Sequence, residues 1–225
     1  MQYVIIVAGG DGKRMKSDIP KQYIEINSVP VIIRTLRCFL NYDPGMRVIL
    51  CVHPSYKEHV ESLLKKHVPD GSDIQITHGG ETRFHSVKNG LMLVDDPNAV
   101  VGIHDAARPF VSAETIRYCY DTAASKGNAV PCLPVNESLR KISNNINNSV
   151  NRNEYKLVQT PQCFQVNLIK KAYEQDYQVT FTDDASVFET LGERIQLVEG
   201  NPQNIKITSP FDLVIARAIA QSLEQ

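Results

Sequence analysis

The first stretch able to do chemistry follows directly on an apolar run. Gly9, Gly10 and Gly12 stand together, and four cations, Lys13, Arg14, Lys16 and Lys21, fall within the next nine residues. Glycine lets backbone N–H groups turn toward an anion with no Cβ in the way. Lysine and arginine beside them make charge-assisted hydrogen bonds to phosphate oxygens. The pattern points to a triphosphate, with a solvated basic loop as the plain alternative. Two known phosphate loops do not fit. The dinucleotide fingerprint needs glycine where Met15 stands; the P-loop needs glycine at Val7 and a hydroxyl residue at Arg14. The missing third glycine also removes an NAD-dependent dehydrogenase.

Other reactive side chains are scattered. Asp105 and Arg108 fall at the end of an apolar run, where they read either as site residues or as a turn cap and its partner. Asp183 and Asp184 precede an apolar helix, which favours N-terminal helix stabilisation over a metal pair. His78 and His85 are seven apart with no H-x-x-x-H, so metal spacing is lacking. Arg83 reads as a partner of Glu81, Lys206 as a solvated strand residue and Arg152 as a surface charge. Glu25, Glu114 and Glu137 show no pairing, and there is no G-x-S-x-G nucleophile turn.

Composition narrows the class. A formal net charge of -1 argues against bulk attraction to nucleic acid or an anionic membrane, so any basic site is local. No apolar run approaches the ~20 residues that span a bilayer. The run Tyr3 to Ala8 is too short for a signal-peptide core. Five scattered cysteines without C-x-x-C suit reduced thiols in a cytoplasmic protein.

The elements that must position these residues alternate. Val4 to Ala8, Arg47 to Val52, Ile74 to Thr77, Ala99 to His104 and Ala129 to Val135 read as strands, mostly apolar on successive residues. Helical periods lie between them, over 31–42, 56–68, 83–94 and, after the N-cap Ser112, 113–125. This repetition predicts an α/β fold: a Rossmann-like, mostly parallel sheet with helices on both faces, in a single domain over 1–225. The Asn-rich segment at about 135–159 breaks the rhythm. It reads as a projecting β-hairpin arm, with a disordered loop as the alternative; Leu139, Ile142, Tyr155, Leu157 and Val158 would give the arm its apolar contacts. Beyond it, 166–175 and 183–192 read as helices, 194–200 and 204–208 as short strands, and 210–225 as a closing helix.

Six blocks in order carry a resemblance. AGGDGKRM with PKQY resembles the signature loop of nucleotidyltransferases that make nucleoside-diphosphate sugars and alcohols. GGETRFHSVKNGL, HDAARPFV, QTPQCF, TDDASVFE and NIKIT are similar to the 2-C-methyl-D-erythritol 4-phosphate cytidylyltransferase family, from the first strand to the last helix. The resemblance implies transfer of the cytidylyl group of CTP to a polyol phosphate, with Mg²⁺ held mainly by the CTP phosphates. It implies that Ala8, Gly9 and Gly10 approach the ribose and phosphates, and that Arg14 and Lys21 stabilise charge on the triphosphate. Gly80 and Ser86 would meet the cytosine, with Arg83 supporting that loop. Asp105 and Arg108 would lie between nucleotide and acceptor, Asp105 also as a candidate at the ribose or the metal. Thr160 and Lys206 would hold the acceptor phosphate or its reaction partner. Arg152, on the arm, would reach the neighbouring subunit's site, which implies a homodimer.

Two departures are small. Ala8-Gly9-Gly10 stands where the family often has Ala-Ala-Gly, and Ser138, facing the acceptor, stands where threonine is usual. Ribitol 5-phosphate is the rival acceptor, and TDDASVFE favours the isoprenoid one. A non-catalytic nucleotide sensor would not need both Arg14 and Lys21.

Overall fold

The computed structural model describes residues 1–10, 19–68 and 71–223. In chain order the strands and helices are β1 (Gln2–Ala8), β2 (Glu25–Ile26), β3 (Val29–Pro30), α1 (Val31–Tyr42), β4 (Arg47–Val52), α2 (Lys57–His67), β5 (Ile74–His78), α3 (Arg83–Met92) and β6 (Val100–Asp105). Then come α4 (Ala113–Lys126), β7 (Asn128–Pro134), β8 (Arg140–Ser143), β9 (Ile146–Ser149), β10 (Lys156–Val158), β11 (Gln162–Gln165), α5 (Val166–Ala172), α6 (Asp184–Phe188), β12 (Leu197–Glu199) and α7 (Pro210–Leu223).

Strand β1 shows why its sequence is apolar on consecutive residues. Val4, Ile6 and Ala8 face one side, against Ile32, Leu36 and Phe39 of α1, Val60 of α2 and Ile116 of α4. Tyr3 and Ile5 face the other, against Phe84, Val87 and Leu91 of α3, Ile169 of α5 and Val187 of α6. Each fully buried Val, Leu, Ile or Phe among them contributes about 1.5–3 kcal/mol. Helices therefore cover both faces, as the alternation predicts.

The eight-stranded sheet runs β10-β7-β11-β6-β1-β4-β5, with β12 beside β7. Strands β6, β1, β4 and β5 are parallel. From β1 the chain steps outward to β4 and β5, then returns through α3 to place β6 on the opposite side of β1. The order reverses between β1 and β6, and a crevice opens at the C-terminal ends of such strands. Val7 lies opposite Asp105 there.

Several details differ from expectation. QTPQCF supplies an unanticipated strand, β11, antiparallel between β6 and β7. The strand expected over 194–200 shrinks to Leu197–Glu199, and 204–208 forms none. That segment makes one long-range backbone-to-backbone bond among the described residues, Ile207 N–H to the Ala107 carbonyl at 2.9 Å, and buries Asn204 and Ile207. The helices α5 and α6 end at Ala172 and Phe188, short of 175 and 192.

The hairpin is present as β8 and β9, joined by Asn144 and Asn145 at φ 49° and 61°, a turn that asparagine tolerates well. Its expected apolar contacts are only partly made among the described residues: Leu139 is half-buried, whereas Ile142 is 76% exposed. The reason is register: β10 pairs with the sheet through β7, leaving β8 and β9 with only each other.

Candidate active site

Two glycine turns meet at the crevice. Gly9 follows β1, and Gly79 follows β5, its N–H donating to Val52 at 2.8 Å. A Cβ on Gly79 would stand 3.1 Å from the Gly9 Cα, and one on Gly80 would collide with His85. Glycine therefore suits this close approach, and at Gly80 a side chain would not fit without moving His85. Ser86, on the first turn of α3, accepts the Gly80 N–H at 3.0 Å and donates to the Thr82 carbonyl at 3.0 Å. Thr82 is itself the N-cap of α3, so the helix start fixes the turn.

At the end of β6, Asp105 gathers three cations. Lys206 Nζ lies 2.8 Å from its Oδ2, Arg83 Nε 3.3 Å from its Oδ1, and Arg108 Nε 3.6 Å from its Oδ2. Burial alone would raise the Asp105 pKa, but Arg83, Lys206 and Arg108 outweigh it and hold the carboxyl well below the usual range. Arg83 also forks onto Asp184, Nη1 to Oδ1 at 2.8 Å and Nη2 to Oδ2 at 2.6 Å. The Tyr173 hydroxyl donates to Asp184 Oδ1 at 2.7 Å. Burial weakens Arg83's hold on its proton, but Asp184 and Asp105 reverse the effect and raise its pKa.

A buried relay holds Asp105 from behind. Its backbone N–H donates to Thr160 Oγ1 at 3.1 Å, and that oxygen lies 3.0 Å from His104 Nδ1. His104 Nε2 lies 3.1 Å from the Arg108 carbonyl. Burial pushes the His104 pKa down to about 4, so the ring is neutral. A carbonyl only accepts, which puts the ring proton on Nε2 and makes Nδ1 the acceptor of the Thr160 hydroxyl. Asn204 completes the wall, donating to the Thr160 carbonyl at 2.8 Å and accepting from Arg108 Nη1 through its own carbonyl at 2.8 Å.

Two cavities open here. One, of about 290 Å³, is lined by the β1 glycines, Lys21, Gln22, Gly80 and Ser86. The other, of about 230 Å³, is lined by Arg108, Gln159, Thr160, Gln162, Thr182 and Asp183. Arg83, Asp105 and Lys206 line both. The two cavities therefore adjoin, with one charged wall in common.

Of the residues picked from sequence, the structure brings Ala8, Gly9, Gly10, Lys21, Gly80, Arg83, Ser86, Asp105, Arg108, Thr160 and Lys206 to these cavities. Arg14 lies outside the described residues. Ser138 and Arg152 are exposed and line neither cavity; Arg152 donates to the Asn136 carbonyl. The Arg83–Glu81 pairing is replaced by Arg83 with Asp184 and Asp105. Asp183 does cap α6, in a reciprocal pair with Ser186, whereas Asp184 serves Arg83. Gln22, His104, Asp184 and Asn204 were not singled out as site residues, though each lies inside a quoted block: PKQY, HDAARPFV, TDDASVFE and NIKIT.

The comparisons with known proteins point to one family. Residues 2–222 match the profile of the 2-C-methyl-D-erythritol 4-phosphate cytidylyltransferase family. The enzyme of that name from Bacteroides thetaiotaomicron is 48% identical over 218 residues, covering 97% of this chain and 99% of its own. The solved structure of 4-diphosphocytidyl-2C-methyl-D-erythritol synthase from Anaerococcus prevotii superposes with a TM-score of 0.84 at 28% identity, covering 98% of this chain and 96% of its own. The cytidylyltransferase from Thermus thermophilus gives 0.78 at 30% identity, covering 98% and 100%. On the full-length profile match and the near-half identity, the chain belongs to the 2-C-methyl-D-erythritol 4-phosphate cytidylyltransferase family.

Proposed function

We propose that the chain transfers the cytidylyl group of CTP to 2-C-methyl-D-erythritol 4-phosphate, giving 4-diphosphocytidyl-2-C-methyl-D-erythritol and pyrophosphate in isoprenoid precursor biosynthesis. The observation that carries this reading is the wall of Arg83, Asp105 and Lys206 common to both cavities. The nucleotide occupies the glycine-lined cavity, with cytosine at Gly80 and Ser86 and the ribose and phosphates along Ala8, Gly9 and Gly10. Asp105 faces the ribose. The acceptor phosphate occupies the second cavity. Arg83, Arg108 and Lys206 supply the N–H donors suited to an anion there, although Asp105, Asp183 and the buried Asp184 balance their formal charge.

An acceptor phosphate oxygen attacks the α-phosphorus, the bond to the bridging oxygen breaks, and its electron pair leaves with pyrophosphate. A phosphate monoester is already largely ionised near pH 7, its second pKa being about 6, so no general base is required. Asp105, held ionised by its cations, orients them instead of taking a proton. Catalysis rests on aligning two polyanions and neutralising charge on the five-coordinate phosphorus. Lys21 and Arg14 stabilise the departing pyrophosphate, and Lys206 the transferring group.

Both Asp105 oxygens already face cations, and among the described residues no three His, Cys, Asp or Glu are grouped to hold a metal. That charge pairing favours the CTP phosphates over Asp105 as the place for a metal. Mg²⁺ belongs on the CTP phosphates as part of the substrate.

The continuous sheet supports one nucleotidyltransferase domain over 1–225. The exposed apolar side chains of the arm at about 135–159 support a homodimer in which Ser138 and Arg152 serve the neighbouring site. Unpaired cysteines favour the cytoplasm, and no helix among the described residues is long and apolar enough to cross a membrane. Pyrophosphate release from CTP, measured with each polyol phosphate and with and without Mg²⁺, tests the proposal. Faster release with ribitol 5-phosphate overturns the acceptor; none with either overturns the transfer.

A further inference from the structure

We propose that Gln22 is a positioning residue for triphosphate binding: one amide nitrogen sets the glycine-loop backbone and registers it against Lys21. Gln22 is 3% exposed yet borders the nucleotide cavity. Its Nε2 lies 2.8 Å from the Ala8 carbonyl and 3.1 Å from the Gly10 carbonyl, on either side of Gly9. A primary amide has two N–H bonds, one for each oxygen. The Ala8–Gly9 peptide is trans, so its C=O and N–H point in opposite directions. Drawing the Ala8 carbonyl to Gln22 sends the Gly9 N–H the other way. Without that amide, two carbonyl oxygens at the cavity edge lose their donor. Their partial negative charge then competes with the phosphates that the loop has to hold.

Gln22 is also the middle residue of the short 3₁₀ turn Lys21–Tyr23. Lys21 Nζ donates to the Ile207 carbonyl at 2.8 Å, and the buried Tyr23 stacks on Tyr56 at 4.8 Å between ring centres. The turn is thus anchored on both sides of Gln22. The amide fixes the distance between backbone donors and lysine, the two devices that face one triphosphate.

This inference rests on the cytidylyl-transfer reading, and its test separates the two. Gln22→Met keeps the volume and removes both donors. CTP affinity and kcat/KM for CTP are expected to fall at least tenfold. Inhibition by cytidine, which carries no phosphate, and KM for the acceptor are expected to stay within twofold. A purely structural role would weaken CTP and cytidine in the same proportion, and that result, or no loss at all, overturns the inference. If Gln22→Met does not fold, Gln22→Asn, one methylene too short to bridge both carbonyls, is read by the same pair of affinities and the same criteria. Wild-type protein that binds CTP no better than cytidine would instead overturn the transfer reading.

Discussion

Arg83 holds Asp184 with a two-point fork at 2.8 and 2.6 Å while its Nε reaches Asp105 at 3.3 Å. One guanidinium from the start of α3 thereby joins α6 to the end of β6. The two helix starts and the strand end cannot move independently, which gives the wall between the cavities a fixed shape. Asp184, fully buried, provides the anchor on the side away from substrate.

Asp184→Asn keeps the shape but leaves the Arg83 charge without its main partner. Breaking a buried pair from one side costs about 3–5 kcal/mol. Urea denaturation is expected to show a loss in that range, and a change below about 1 kcal/mol would mean that the fork contributes no more than a surface pair.

The two lysines separate by what they touch. In the proposed transfer Lys21 would stabilise charge that grows as pyrophosphate leaves, so Lys21→Ala should lower turnover far more than CTP affinity. Equal losses would assign Lys21 to uniform binding. Lys206→Ala should lower kcat by roughly 10²–10³, the usual effect of removing one preorganised transition-state donor. A change below tenfold would take Lys206 out of the transferring group's environment.

His104 sets a pH dependence of stability. Its pKa is about 4 in the fold against 6.5 ordinarily, so between those values the unfolded chain binds more protons. Stability is therefore fully present above pH 6.5 and is lost as pH falls toward 4, by about 3 kcal/mol at most. Asp105, also depressed, acts below this window. Denaturation at pH 7 and pH 4.5 should show a clear drop for wild type and a smaller one for His104→Gln; equal drops would contradict the assignment.

If Arg152 serves the neighbouring site of a homodimer, as proposed, inactive variants should complement each other. Arg152→Ala and Lys21→Ala should each be nearly inactive alone. Mixed after dissociation, random pairing restores one intact site in half of the dimers, about a quarter of wild-type activity. No recovery in a confirmed hybrid would place Arg152 outside the partner's site.

The sequence was most legible where physics is local. Double-sided burial makes most of β1, β4 and β6 apolar on successive residues, and the glycines after β1 mark the crevice by their position. Strand β11 escaped because Gln162 and Gln165 interrupt its apolar pattern; Gln162 is buried because its amide clips Asp183 and the Ala185 N–H. The Gln22 bridge and the His104–Thr160 relay span contacts of 12 to 56 residues, which no periodicity reports. Lys206 was legible only by resemblance: its role comes from Asp105, 101 positions earlier (206 − 105). The arm was legible as a hairpin, but its apolar contacts were not, because Ile142 and Ile146 lie exposed on strands that pair only with each other.

The most direct test of the transfer wall is a crystal structure of the chain with CTP and the acceptor phosphate bound. The account predicts cytosine against Gly80 and Ser86, the α-phosphorus beside Lys206, and the acceptor phosphate between Arg108 and Lys206. An α-phosphorus seated away from Arg83, Asp105 and Lys206, with the two ligands not meeting across that wall, would contradict it.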